Sequence, residues 1–126
     1  MKLIALAALG GGIGSALRYA LAIGITKIAP ASFPWAILTI NVVGCFAMGV
    51  LVAALALKLN GSSEARVFLA TGVLGGFTTF SAFSLDFMTL MQRKDFDLAI
   101  LYVAASVGVS LLAIYAGAAL GRALWT

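Results

Sequence analysis

The residues best suited to binding or catalytic chemistry fall in one segment near the middle of the chain. Residues 71–84 read Thr-Gly-Val-Leu-Gly-Gly-Phe-Thr-Thr-Phe-Ser-Ala-Phe-Ser. Glycine in a helix interior costs about 1 kcal/mol relative to alanine, and threonine and serine hydroxyls compete with the hydrogen bonds of the helical backbone. A Gly-Gly pair followed by a Thr-Thr pair, inside an apolar stretch, therefore predicts a helix break near residues 75–79.

A helix break inside a membrane frees backbone groups that lipid cannot satisfy. Such groups must be buried in protein or line a polar cavity. Freed carbonyls suit a hard cation such as sodium, and freed amides at the restart of the helix suit an anion. The competing interpretation is a continuous helix, in which the glycines serve packing and the hydroxyls bond to carbonyls one turn back. We favour the broken helix.

Three phenylalanines follow the predicted break on one helical stripe. They are Phe80, Phe83 and Phe87, and Ser81 and Ser84 lie on a neighbouring stripe. Aromatic side chains in membrane helices often only pack against lipid or other helices. A phenylalanine ring also has an electropositive edge, which can contact an anion more weakly than a full positive charge, and conduction requires binding weak enough to release. The stripe is therefore a candidate ion path.

Polar residues are rare in the first two apolar segments. Asn41, with Thr39 beside it, lies in the second segment, where an unsatisfied amide is costly. Asn41 either bonds to another helix or binds an ion in a pore. Arg18 lies in the first segment, within about two turns of Lys27. Its side chain either extends to the membrane surface or holds a positive potential at a vestibule.

The last apolar segment carries a hydroxyl stripe. Tyr102, Ser106 and Ser110 are four residues apart and share one helix face. Such hydroxyls are often bonded only to carbonyls of their own helix. If they face a break in the third segment, they form a hydrogen-bonding track instead.

Composition assigns the chain to the membrane. Hydrophobic residues make up 63% of the 126 residues and charged residues 10%, too few charges to cover the surface of a soluble domain. The net charge of +4 is spread along the chain and forms no basic stripe for nucleic acid. With one cysteine, Cys45, and no histidine, a Cys/His metal site is excluded. No ATP site, redox group or catalytic constellation is visible, so we expect no enzyme.

Four segments are long and apolar enough to cross a membrane, which takes about 20 residues each. The connections between them are short and leave no room for a soluble domain. We therefore predict an all-α protein with a single membrane domain over residues 1–126. The third helix is expected to be broken in mid-membrane. The predicted spans are approximately residues 3–26, 35–57, 67–91 and 98–120.

Basic residues are balanced across the predicted membrane. An even number of spans places both termini on one side, and counting Arg18 each side carries four basic residues. The positive-inside rule then has almost nothing to act on. This balance is expected of a chain that inserts in both orientations, and two such chains can form an antiparallel dimer. The two groups are Lys2, Lys58, Arg66 and Arg122 against Arg18, Lys27, Arg93 and Lys94.

Small residues recur at four-residue spacing in the first and last spans. Gly10 and Gly14 share a helix face, and Gly117 and Gly121 repeat the pattern. Small residues allow helix backbones to approach closely in lipid, where hydrophobicity supplies no attraction between helices. These glycines predict close helix packing within one subunit.

Taken together, these motifs resemble the Fluc (CrcB) family of fluoride channels over essentially the whole chain. Each short piece is weak alone, but their order and spacing in a four-span chain of this length are highly specific. The resemblance rests on residues 11–19 (Gly-Gly-Ile-Gly-Ser-Ala-Leu-Arg-Tyr), residues 39–44 (Thr-Ile-Asn-Val-Val-Gly) and the segment 71–84.

The resemblance implies an antiparallel, dual-topology homodimer with two fluoride pores. Phe80 and Phe83 match the two phenylalanines whose ring edges line the ion path in the family. Asn41 matches the pore asparagine, and Ser110 matches the pore serine of the fourth span. Thr39, Ser81, Ser84, Tyr102 and Ser106 remain further candidates for the pore lining on their own positions.

The resemblance also implies a structural sodium ion on the dimer two-fold axis. The backbone carbonyls of Gly75 and Thr78 match its ligands, and Arg18 matches an arginine at the wide aqueous vestibules. Two residues depart from the family pattern. Asp86 stands where many relatives have glutamate, so a carboxylate is retained at this position. Ala82 stands where a hydroxyl residue is common, so this position has no hydroxyl.

The function implied is passive fluoride export from the cytoplasm of a bacterium, across its inner membrane, which confers fluoride resistance. The alternative is a small dual-topology multidrug exporter, which also has four spans. Such an exporter needs a carboxylate deep in the membrane to exchange protons for a cationic drug. Here the first span has no acid, and Asp86, the sole carboxylate within a span, lies near a span end. The sequence therefore favours the channel.

Overall fold

The computed structural model describes all 126 residues, and its regular structure is entirely helical. Four segments are long and apolar enough to cross a membrane, and the third of them, Ser63–Gln92, consists of two consecutive helices. The predicted four-span, all-α membrane fold is confirmed. The helices are α1 (Lys2–Ile28), α2 (Trp35–Leu57), α3 (residues 63–77), α4 (Phe80–Gln92) and α5 (Phe96–Trp125).

The third span is broken between α3 and α4, as predicted. Thr78 (φ −79°, ψ 157°) and Thr79 (φ −154°, ψ 119°) have extended backbone conformations, whereas Gly75 is still helical. The threonine hydroxyls bond to the last turn of α3 and to the first turn of α4. The Thr78 hydroxyl donates to the Leu74 carbonyl at 3.0 Å, and the Thr79 hydroxyl caps α4 by accepting the Ala82 N–H at 3.0 Å. The break therefore falls on the threonine pair, not on the glycine pair.

The winding of α3 is unusual. Ser63–Ala65 and Gly75–Phe77 are α-helical, and the stretch between them, Arg66–Leu74, is a π-helix. A π-helix bonds each N–H to the carbonyl five residues back and is commonly limited to a single turn. The hydropathy pattern of this stretch does not distinguish the π-helix from an α-helix.

Glycines bring α1 and α3 into backbone contact. A Cβ atom built on Gly14 would lie 2.8 Å from the amide nitrogen of Phe77, and one on Gly10 would lie 2.9 Å from the Cα atom of Gly72. Any larger residue at these positions would push the two helices apart. The close packing predicted for this glycine face is therefore present, and it positions the end of α3 at the break.

A second glycine contact joins α2 to α5. A Cβ atom on Gly49 would lie 2.6 Å from the Ala118 nitrogen, and one on Gly117 would lie 3.1 Å from the Val50 nitrogen. This contact fixes the relative height of α2 and α5. It thereby sets which side chains of the two helices face one another near the break.

A small apolar cluster holds α4 against α5. It consists of Phe83, Leu90, Ala99 and Tyr102. Only 15 of the 126 residues are buried within the chain, and large apolar side chains point outward from every span. This exposure suits a protein whose solvent is lipid, which is as apolar as leucine.

Candidate functional site

Asn41 binds the backbone of the break through both ends of its amide. The Thr79 N–H donates to Asn41 Oδ1 at 2.8 Å, and Asn41 Nδ2 donates to the Thr79 carbonyl at 3.0 Å. In an uninterrupted helix the same N–H would bond to the carbonyl of Gly75. Asn41 therefore satisfies the peptide group that the break exposes. Of the two interpretations of Asn41, the cross-helix bond is present.

A cavity of about 280 Å³ lies beside the break, between α2, α4 and α5. It brings together candidates from three separate stretches of sequence, because the glycine contacts and the break align those stretches. Five of the residues proposed from sequence for the pore line it: Asn41, Phe80, Phe83, Ser106 and Ser110. The full lining is Asn41, Cys45, Thr78, Thr79, Phe80, Phe83, Ser106, Val107, Ser110 and Leu111.

The two phenylalanine rings of the cavity are held differently. Phe80 is 77% exposed, and Phe83 is 9% exposed. Their ring centroids lie 5.3 Å apart at an interplanar angle of 54°. Phe83 also packs against the ring of Tyr102, with centroids 5.1 Å apart. Phe87, one turn further along α4, packs against the apolar cluster and does not line the cavity.

Two hydroxyls in the cavity have no hydrogen-bond partner. The Oγ atoms of Ser106 and Ser110 are buried and bond to no protein group, including the carbonyls of their own helix. A buried hydroxyl without a partner costs about 1–3 kcal/mol. Such groups mark a place where a guest molecule or ion supplies the missing bond. Beside the positive edges of phenylalanine rings, two O–H donors suit a small anion.

The cavity omits five of the pore and vestibule candidates. Thr39 and Ser84 are not among its lining residues, and the Ser81 hydroxyl pairs with that of Thr79 at 3.0 Å. The Tyr102 hydroxyl donates to Asp86 Oδ2 at 2.8 Å. The Tyr102 ring packs against Phe83, so its hydroxyl lies behind Phe83, away from the cavity lining. Arg18 is likewise absent from this lining.

Sequence reasoning missed four residues of the lining: Cys45, Thr79, Val107 and Leu111. Cys45 follows Asn41 by four residues and so shares its helix face. That spacing was the available signal. A cysteine in an apolar run otherwise looks like a packing residue.

Arg18 lies at the break. Its guanidinium donates to the carbonyl of Thr78 at 3.3 Å, and the side chain is half-buried. The positive charge therefore faces the carbonyl end of α3, where the helix dipole is negative. This contact was not among the roles considered from the sequence.

The carbonyls of Gly75 and Thr78 suit a hard cation by their chemistry. Sodium takes oxygen ligands, and a broken helix presents its last carbonyls without helical partners. The Thr79 N–H is turned away to Asn41, so it is not available to the Gly75 carbonyl. Gly75 is exposed on the surface of the chain. The donor set therefore fits the sodium ion that the resemblance implies.

A larger cavity of about 400 Å³ lies at one end of the bundle, lined mainly by the connection between α1 and α2. Arg93 closes one side of it, bonding to the Ser32 carbonyl at 2.9 Å and to Asp95 at 2.8 Å. Asp86 also lines this cavity. Because Asp86 accepts the Tyr102 hydroxyl, Asp86 and Tyr102 connect this cavity to the back of Phe83.

Comparison with known proteins finds relatives over nearly the whole chain. The sequence model of the family described as CrcB-like protein, Camphor Resistance (CrcB), matches residues 5–118. The fluoride-specific ion channel FluC of Agrobacterium fabrum is 51% identical over 122 residues, covering 97% of this chain and 98% of that protein. The protein of the same name from Rhizobium etli is 50% identical over 119 residues, covering 94% and 95%. That of Rhizobium meliloti is 47% identical over 124 residues, covering 98% and 99%.

These matches span nearly the whole chain, and the relatives are bacterial. Together with its four membrane-spanning segments, they make the protein a multi-pass protein of a bacterial membrane. The chain belongs to the CrcB-like family.

Proposed function

We propose that the protein is a fluoride channel that exports cytoplasmic fluoride passively. The observation that carries this proposal is the cavity beside the break. There, two residues whose buried hydroxyls have no partner line the same cavity as Phe80 and Phe83. Donor groups and ring edges stabilise an anion, and the absence of a positively charged side chain from the lining keeps the binding weak. The names of the relatives point to the same ion.

The direction of transport follows from the chemistry of fluoride. Hydrogen fluoride crosses a membrane as a neutral weak acid and ionises in the more alkaline cytoplasm, which traps fluoride inside. An inside-negative potential favours export of an anion by about 2.3 kcal/mol per 100 mV. A passive path is therefore sufficient, and no ATP or redox chemistry is required. Fluoride resistance is the expected consequence for the cell.

The working unit in this proposal is an antiparallel homodimer. Balanced basic residues support insertion in both orientations. The exposed positions of Gly75 and Phe80 support a partner at the break, since both belong to the candidate sites. The carbonyls of Gly75 and Thr78 would hold a sodium ion there. When bound, the ion offsets the repulsion between carbonyl dipoles of two facing breaks.

The exporter alternative receives less support. Asp86, the sole carboxylate within a predicted span, lies near the span end, and its Oδ2 atom accepts the Tyr102 hydroxyl. The relatives are named as fluoride channels and not as drug exporters.

Fluoride efflux from liposomes tests the proposal. Purified protein is reconstituted alone into potassium fluoride-loaded vesicles, and fluoride release is followed with an electrode. We expect rapid release once valinomycin allows potassium to leave, and little release before it. Release no faster than from protein-free vesicles would contradict a channel. Proton-driven uptake of a cationic dye would instead indicate the exporter.

A further inference from the structure

The cavity beside the break contains the only thiol of the protein. Cys45 is a free cysteine on α2, half-buried, and lines the same cavity as Phe80 and Phe83. It lies one helical turn after Asn41 on the same face. Its sulfur therefore faces the space that the proposed function assigns to fluoride.

A second observation places hydroxyls without partners in the residues that line this cavity. Ser106, only 7% exposed, lines it from α5, and its Oγ atom has no hydrogen-bond partner. The Oγ atom of Ser110, one turn further, is also without a partner. The cavity that Cys45 lines therefore has two hydroxyls whose missing bonds a small polar guest could supply.

We propose that Cys45 lines the ion path and is a modification site at which small thiol-reactive electrophiles close the channel. The inference rests on the proposed fluoride channel. A group attached to the sulfur would occupy part of a cavity of about 280 Å³. It would also displace the ion from the hydroxyls of Ser106 and Ser110.

The reaction with methyl methanethiosulfonate illustrates the chemistry. The Cys45 thiolate, its proton having passed to the buffer, attacks the divalent sulfur of the reagent's methylthio group. A new S–S bond forms, the bond between that sulfur and the sulfonyl sulfur breaks, and methanesulfinate leaves with the electron pair. A thiol reductant reverses the step by disulfide exchange.

The test combines intact mass with fluoride efflux. The folded protein in liposomes is treated with methyl methanethiosulfonate, and we expect one methylthio group per chain. Fluoride efflux should fall by roughly tenfold or more, equivalent to about 1.4 kcal/mol at the barrier. Dithiothreitol should restore both the original mass and the original efflux. Because the chain has no other cysteine, the mass reports on Cys45 alone.

Three variants serve as controls. Cys45→Ser and Cys45→Ala remove the thiol, and each is compared with its own untreated efflux, which should not respond to the reagent. Adding Val43→Cys to Cys45→Ser moves the thiol to an exposed position on the same helix that does not line the cavity. Modification there should leave efflux at its untreated value.

Several results would overturn the inference. Full labelling of Cys45 with unchanged efflux would place the sulfur outside the ion path. Labelling only after unfolding in detergent would show that the cavity does not admit the reagent. Equal inhibition of the thiol-free variants would show an effect unrelated to Cys45. If the untreated wild-type protein releases no fluoride, the proposed function fails first, and this inference fails with it.

Discussion

The hydroxyls of Ser106 and Ser110 show at the scale of single residues what distinguishes a site from a packed core. Both Oγ atoms are buried without a partner, which lowers stability by about 1–3 kcal/mol for each group. Tyr102, on the same stripe, differs because its hydroxyl bonds to Asp86 at 2.8 Å. The stripe therefore divides into one structural residue and two residues with donors free for an ion.

Removing the free hydroxyls should affect stability and transport in opposite directions. Ser106→Ala and Ser110→Ala each delete a buried group that has no partner. We expect the free energy of unfolding to stay unchanged or to rise by about 1 kcal/mol. Fluoride efflux should nevertheless fall, because the ion loses a donor. Thermal unfolding followed by tryptophan fluorescence, together with liposome efflux, measures both. Lower stability with normal efflux in both variants would show that the hydroxyls are structural.

Sequence reasoning identified these serines by their spacing, and Ser110 also by the family resemblance, but could not decide whether they bond to their own helix. That depends on rotamers, which tertiary packing sets. Cys45 was missed for a related reason. Cysteine is among the most buried residue types and behaves as a small apolar side chain, so its type did not indicate a cavity.

The break between α3 and α4 is the decisive feature at the scale of elements. The Gly-Gly and Thr-Thr pairs predicted it, because both pairs weaken a helix locally. Its position at Thr78 and Thr79 depends on Asn41, which lies on a different helix and holds the Thr79 peptide from both sides. The π-helix Arg66–Leu74 was not predictable, since local composition does not encode its hydrogen-bond register.

Asn41→Leu tests whether this clamp sets the break. Leucine has a similar size but leaves the Thr79 N–H and carbonyl without their partners, at a cost of about 1–3 kcal/mol for each unsatisfied group. We expect a lower thermal unfolding temperature and a loss of fluoride efflux. Thr39→Val, on the same helix but outside the cavity, should change both only slightly. An Asn41→Leu protein as stable as the wild type would mean that Thr79 finds other partners and that the clamp is dispensable.

Orientation in the membrane belongs to the scale of the whole molecule. Basic residues number four on one side and three on the other, or four on each side when Arg18 is counted, so insertion in both orientations is predicted. Reporters fused to the C-terminus should be detected on both sides of the membrane. Adding two or three lysines in the loop at residues 60–62 should bias insertion to one orientation and reduce fluoride efflux. Detection on one side only, with full activity, would contradict an antiparallel dimer.

Sodium removal tests the dimer itself. The Thr78 carbonyl already accepts a bond from Arg18 at 3.3 Å, and in the proposed dimer the carbonyls of two breaks face one another. Without a cation, those dipoles repel. Purification with a large organic cation in place of sodium should therefore reduce the dimer fraction in size-exclusion chromatography and reduce efflux. Full dimerisation and normal efflux in rigorously sodium-free buffer would remove the sodium site.

The central claim is that fluoride passes the rings of Phe80 and Phe83, and liposome efflux of three matched variants tests it most directly. Phe80→Ile and Phe83→Ile keep an apolar side chain but delete the electropositive ring edge. Each should lower fluoride efflux by roughly tenfold or more, about 1.4 kcal/mol at the barrier. Phe87→Ile, which alters a ring outside the cavity, should retain most of the wild-type efflux. Near-normal efflux from folded Phe80→Ile and Phe83→Ile proteins would contradict the claim, because the rings would then serve packing alone.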